Sequence, residues 1–256
     1  MGNLIRMDLF RLRKIKGFWI CLILAFLMAA AMTPLGRLLV FVSKFIEDTG
    51  ETFPATANLS AILMDTYPLL NVMLAMLSAS AFFYMDIENG YIKNIAGQMP
   101  QKGYTILSKF IAIIPHNILF AVVGIGGKLI GSLIFQKIIV DGDVTKGIVT
   151  VLLKILLLQS LCAILLLAGA TIGSKSLAVV VSVVMGLGLT SILYLGVDSL
   201  LGQLFKNKTW LVSDYTPDML LSNQSPDVLV SVLSAVITIV IFLLPAIKIF
   251  DKKDIK

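Results

Sequence analysis

The sequence predicts an all-α integral membrane protein: a six-transmembrane-helix bundle, one domain over residues 1–256, with an N-terminal interfacial helix and a cytoplasmic surface helix. The hydrophobic fraction is 58%, above the ~45–50% typical of soluble domains, and the charged fraction is 14% where ~25% is usual. The apolar residues fall in long runs rather than amphipathic stripes, and a hydrocarbon core of about 30 Å needs roughly 20 of them in a helix. Only helices and closed barrels satisfy their backbone in lipid, and these runs lack the alternation of barrel strands.

Taken in order, residues 2–17 place Leu4, Ile5, Leu9, Leu12 and Ile15 on one side of a helical wheel and carry Arg6, Arg11, Arg13, Lys14 and Lys16. That pattern suits a basic helix lying in the membrane interface, although Asp8 and Lys16 intrude on its apolar side. The first span, 18–36, is longer than the ~7–15 apolar residues of a secretory signal and is read as uncleaved. Further spans are expected at 61–85, 107–127, 148–173, 177–197 and 229–249, the third run continuing past Lys128 to Phe135. The connection at 174–176 demands a tight antiparallel hairpin. The segment 198–228 carries Leu200, Phe205, Trp210 and Tyr215, so part of it is expected back at the bilayer surface. Small residues four apart, at Ala75 and Ala79, Gly127 and Gly131, and Gly169 and Gly173, mark expected helix contacts.

Charge then orients the bundle. With the N-terminus inside, the inner segments hold thirteen cations against five acids, and the outer segments five cations against the other ten acids. This asymmetry places both termini in the cytoplasm of a multi-pass protein of the cell membrane. It also accounts for the basic character of the chain without nucleic acid. Arg37, Lys128 and Lys154 lie in or beside helices. They are expected to snorkel to the outer interface or, alternatively, to line a substrate path and attract anionic groups.

The candidates for covalent chemistry are few. A zinc protease needs paired histidines, and His116 is the single histidine; no metal site is expected. Following Pro115 inside the third span, His116 could contact substrate or relay protons, but a neutral imidazole bonded between helices is the preferred reading. Cys21 and Cys162 sit in apolar runs and imply no disulfide. The cluster Gly124, Gly126, Gly127, Lys128 lacks the first glycine and the Ser or Thr of a phosphate loop. No catalytic residue and no cofactor are expected in this chain.

The inner connection 86–106 is far longer than a polar turn requires. It mixes Ile92 and Ile95 with charge and paired glycines, which suits a short surface helix that docks a partner. Here the sequence resembles permeases of the ABC-2 type, particularly the small six-helix subunits of bacterial peptide exporters and antimicrobial-peptide immunity systems. In that family an acidic residue and a glycine, here Glu88 and Gly90, lead into a coupling helix, and Lys93-Asn94 continues the pattern; Gln101-Lys102 stands where the family often has Ser-Arg.

The resemblance implies a separate cytoplasmic ATPase that binds ATP and Mg, two permeases with two ATPase subunits, and peptide as cargo. Glu88, Gly90, Ile92, Lys93 and Ile95 would then couple the permease to its ATPase. The alternatives are a membrane immunity or scaffold protein without transport and, third, a secondary transporter, against which the lack of an internal repeat counts.

Overall fold

The computed structural model describes residues 2–47, 53–88, 101–172, 175–205 and 211–252, with backbone alone at 44–47, 86–88, 172 and 175. Among these, five helices are long and apolar enough to cross a membrane, or six if one bent pair counts as a single span.

Helix α1 (Gly2–Lys14) stops at Ile15, and α2 (Lys16–Glu47) follows at once. A short strand, β1 (Thr56–Asn58), leads into α3 (Leu59–Met64) and α4 (Leu69–Glu88). The second predicted span is thus two helices, because Pro68 has no N–H to continue the first. Its carbonyl instead receives Asn71 N–H at 2.8 Å and Val72 N–H at 3.1 Å, starting α4. Helix α5 (Tyr104–Phe135) takes in the apolar continuation that a span ending at residue 127 leaves out, and Pro115 does not interrupt it. Strand β2 (Lys137–Ile139) pairs with β1 in parallel, Ala57 opposite Ile138. Helix α6 (Val144–Ile172) follows.

The fifth span corrects the sequence expectation of one helix at 177–197. It is broken into α7 (Lys175–Gly186) and α8 (Thr190–Leu204), bent by 65°. Gly188 adopts φ +65°, a conformation that side chains disfavour. Gly188 N–H bonds to Met185 O at 3.0 Å and Leu189 N–H to Val184 O at 3.0 Å, the paired bonds of a Schellman helix end. A single 3-10 turn (Ser213–Tyr215), α9 (Pro217–Ser222) and α10 (Val228–Lys252) complete the fold.

Helix α6 is the hub: α10, α3 and α9 pack along it, while α2 and α1 pack on α5, and α7 on α4. The close approach of α2 and α5 needs glycine. A Cβ on Gly127 would stand 2.6 Å from Phe26 O, and one on Gly131 2.4 Å from Ala30 O. Ala75 and Ala79 are likewise buried in the helix core.

The two ends of the bundle differ. At one, Ser108 Oγ donates to the Asp8 carboxylate, joining α1 to α5. There too Gly103 N–H donates to Asp251 Oδ1 at 2.5 Å, joining the start of α5 to the end of α10. Both ends of the described chain therefore lie together. The opposite end carries the strand pair and Asp141, which accepts from the Ser60 N–H and hydroxyl and so caps α3 from a distant part of the chain. A helix start buried in the bundle needs such acceptors for its exposed N–H groups.

Candidate functional site

Two buried polar clusters lie between the helices, and their hydrogen bonding differs. The first centres on His116, Asn117 and Gln159, all in the interior. Asn117 Nδ2 donates to Gln159 Oε1 at 2.8 Å, and Gln159 Nε2 donates to Phe110 O at 2.6 Å. Asn117 Oδ1 is left as the acceptor of His116 Nδ1–H at 3.0 Å. His116 Nε2 stands 2.6 Å from Ser78 Oγ, whose hydroxyl also lies 3.0 Å from Ala75 O; with its proton on Nδ1, a neutral imidazole takes the hydroxyl proton at Nε2 in competition with that carbonyl. Tyr67 O–H donates to Asn117 O at 2.6 Å, and the rings of Phe18 and Phe120 lie beside the imidazole. Every side chain here has a partner, and the network ties α4, α5 and α6 together.

The second cluster lies towards the strand-pair end, at the break between α3 and α4. The break frees the main-chain oxygen of Asp65, and Lys128 of α5 fills it: its Nζ donates to Asp65 O at 2.6 Å and forms an ion pair with the Asp65 carboxylate. Lys154 of α6 lies close enough to interact electrostatically with both charges. It is 1% exposed and makes no hydrogen bond among the described residues. Gly124, one turn before Lys128, lets α5 approach this break: a Cβ there would meet Thr66 O at 2.5 Å and Asn71 Nδ2 at 3.3 Å. Asn71 is fully buried, and neither Oδ1 nor Nδ2 has a partner among the described residues.

Asp65 also lines two clefts. One, of 490 Å³, is bounded by Thr33 of α2, Lys128 and Ser132 of α5, Gln136 and Gln224. The other, of 350 Å³, runs between Asp65, the α7–α8 bend at Gly186–Gly188, and Asp218 of α9. At its far side Thr190 Oγ1 donates to Asp218 Oδ2, whereas Asp218 Oδ1 is buried without a partner among the described residues.

The sequence-derived sites are distributed unevenly over this geometry. Lys128 and Lys154 come together, and both are buried rather than extended to an interface, which corrects the snorkelling expectation for these two. The reason is the acid at the helix break, which gives Lys128 a partner inside the bundle. Arg37 is exposed and lies over the Phe135 ring, 5.9 Å from its centroid. His116 belongs to the closed network and lines neither cleft. Glu88 is the last residue of α4, without a described side chain, and Gly90, Ile92, Lys93 and Ile95 lie outside the described residues.

Asp65 and Asn71 were not singled out from the sequence. Asp65 falls within the predicted second span, and an acid inside an apolar run is itself a signal; grouping it with the outer acids concealed it.

Among the described residues no group of histidines, cysteines or acids could hold a metal ion. No curated protein matches the chain at a significant level. The family model described as ABC-2 family transporter protein matches residues 4–196, a stretch running from α1 into α8 and including both clusters and the 86–106 connection. The family is one of membrane permeases served by a partner ATPase, and with spans that cross the bilayer several times the chain belongs to the ABC-2 family of ABC transporter permeases.

Proposed function

We propose that this chain is the permease subunit of an ATP-driven exporter that moves peptides out of the cell, working as two permease copies with two cytoplasmic ATPases. The observation that carries this reading is the family match across residues 4–196. The charge division supports placing both termini, and with them the start of α5, in the cytoplasm. The connection 86–106 would then face the ATPase. It leaves directly from the end of α4, and its far side is held where Gly103 rests on Asp251 of α10. A push received there would pass into α4, α5 and α10 together. The chain itself contributes a path and its gating and performs no covalent step; ATP and Mg are held by the partner.

In this reading Glu88 makes a charge-assisted contact, Gly90 permits a sharp turn into the docking helix, and Ile92 and Ile95 seat apolar anchors in the partner, with Lys93 beside them. The test is co-purification of the ATPase and its turnover with Glu88→Gln, Gly90→Val and Ile92→Asp. Each variant should insert normally and retain less ATPase. Parent-like assembly and turnover in all three would remove the coupling role from this segment.

A further inference from the structure

The cluster at the α3–α4 break holds two ammonium groups against one carboxylate. Lys128 is satisfied by Asp65 through both its main-chain oxygen and its side chain. Lys154, 1% exposed, has no acceptor among the described residues. A buried ammonium without a hydrogen-bonded counter-charge costs several kcal/mol, and intramembrane charges that persist face a partner or a cavity. The unpartnered amide of buried Asn71, beside Gly124, adds donor and acceptor capacity to the same region.

Asp65 indicates which anion the cluster accepts, since the group already seated on Lys128 is a carboxylate. The Asp65 side chain is 48% exposed, so it can turn without leaving a packed site. Asp65 and Lys128 both form part of the wall of the 490 Å³ cleft, a volume within the range of roughly 300–1,000 Å³ common for small-ligand sites. Thr33, Ser132, Gln136 and Gln224 give that wall polar side chains suited to a peptide main chain.

We propose that this cluster is a carboxylate-binding site: a ligand carboxylate entering the 490 Å³ cleft takes Lys128, and Asp65 passes to Lys154. Two ammonium groups then face two carboxylates. The inference rests on the exporter reading for the ligand's role as cargo, and within that reading the group recognised is the C-terminal carboxylate of a peptide.

The test uses the full chain in nanodiscs of phosphatidylcholine, titrated with N-acetyl-trialanine and, separately, with its C-terminal amide, while thermal unfolding is followed. The free acid should raise the unfolding temperature in a salt-sensitive manner, and the amide should not. Lys128→Gln and Lys154→Met should each weaken the response by about tenfold or more; the second variant removes a buried charge and keeps the volume, so it folds even if the first does not. An equal response to acid and amide, or an undiminished response in Lys154→Met, overturns the proposal. So does stabilisation that appears only in discs containing phosphatidylglycerol and ignores the acid, which would assign the cluster to a lipid phosphate. ATPase retention measured on the same preparations separates the two claims. Retention without a carboxylate response refutes the site alone, whereas a response without retention refutes the exporter reading.

Discussion

The clusters around His116 and Lys128 lie about three turns apart on the same helix, α5, and both draw a second polar residue from α6. In the first, the contacts form a continuous chain, from Ser78 of α4 through His116 and Asn117 of α5 to Gln159 of α6 and back to Phe110 O. In the second, one ammonium is paired, while among the described residues another has no acceptor and a neighbouring amide makes no hydrogen bond. Burial alone therefore does not distinguish structural polar residues from functional ones in a membrane bundle. The distinction lies in whether the hydrogen bonding closes. A closed network holds the helices in one arrangement, whereas an open one leaves room for a group brought from outside.

The comparison can be broken most forcefully by displacing the helix that walls one cluster. Gly131→Val would drive a side chain into Ala30 O, 2.4 Å from the position of its Cβ, and overpacking against backbone should cost about 3 kcal/mol. Unfolding of the purified protein measures it. The same substitution at Gly126, where nothing lies within 4 Å of a Cβ, should change stability little.

The closed network is tested by Asn117→Ala, which strips Gln159 Oε1 and His116 Nδ1 of their partner. Interhelical hydrogen bonds in membranes are individually modest, but two buried groups left open should cost about 2 kcal/mol. A loss below about 0.5 kcal/mol would show that the network does not hold α4, α5 and α6 together.

A smaller effect is expected at the strand-pair end. The Ser60 hydroxyl and amide hold the Asp141 carboxyl below its ordinary range. A depressed native value means that the contribution is present above the unfolded carboxylate range and lost as the pH falls through the native value. The difference in unfolding between the parent and Asp141→Asn should therefore be present near pH 6 and shrink as the pH falls below the ordinary carboxylate range. A difference that grows on acidification would contradict the cap.

Much of the bundle was legible in the sequence because run length against bilayer thickness is a strong signal. The finer breaks were not. The interruption at Asp65–Pro68 and the bend at Gly188 sit inside long apolar runs, where overall run length outweighed the local signals of Asp65, Pro68 and the paired glycines. The three-residue strands β1 and β2 are too short to show a period, and their pairing joins segments about 80 positions apart. Lys128 and Lys154 stood out because charge within an apolar run is conspicuous. The acid near both did not, since bringing Asp65 to this region requires the packing of α3 against α5 and α6. Glu88 and Gly90 were singled out through family resemblance alone, and the structure describes neither the Glu88 side chain nor Gly90.

The most direct test of the distinction between closed and open clusters is the unfolding free energy of Lys154→Met beside the parent and Asn117→Ala in the same detergent. A buried charge without a hydrogen-bonded partner contributes little to stability, and replacing it by an apolar side chain of similar length is often neutral or stabilising. The expected result is stability equal to or above the parent. A loss of about 2 kcal/mol, matching Asn117→Ala, would show that Lys154 is a structural partner in a closed network and would contradict the account.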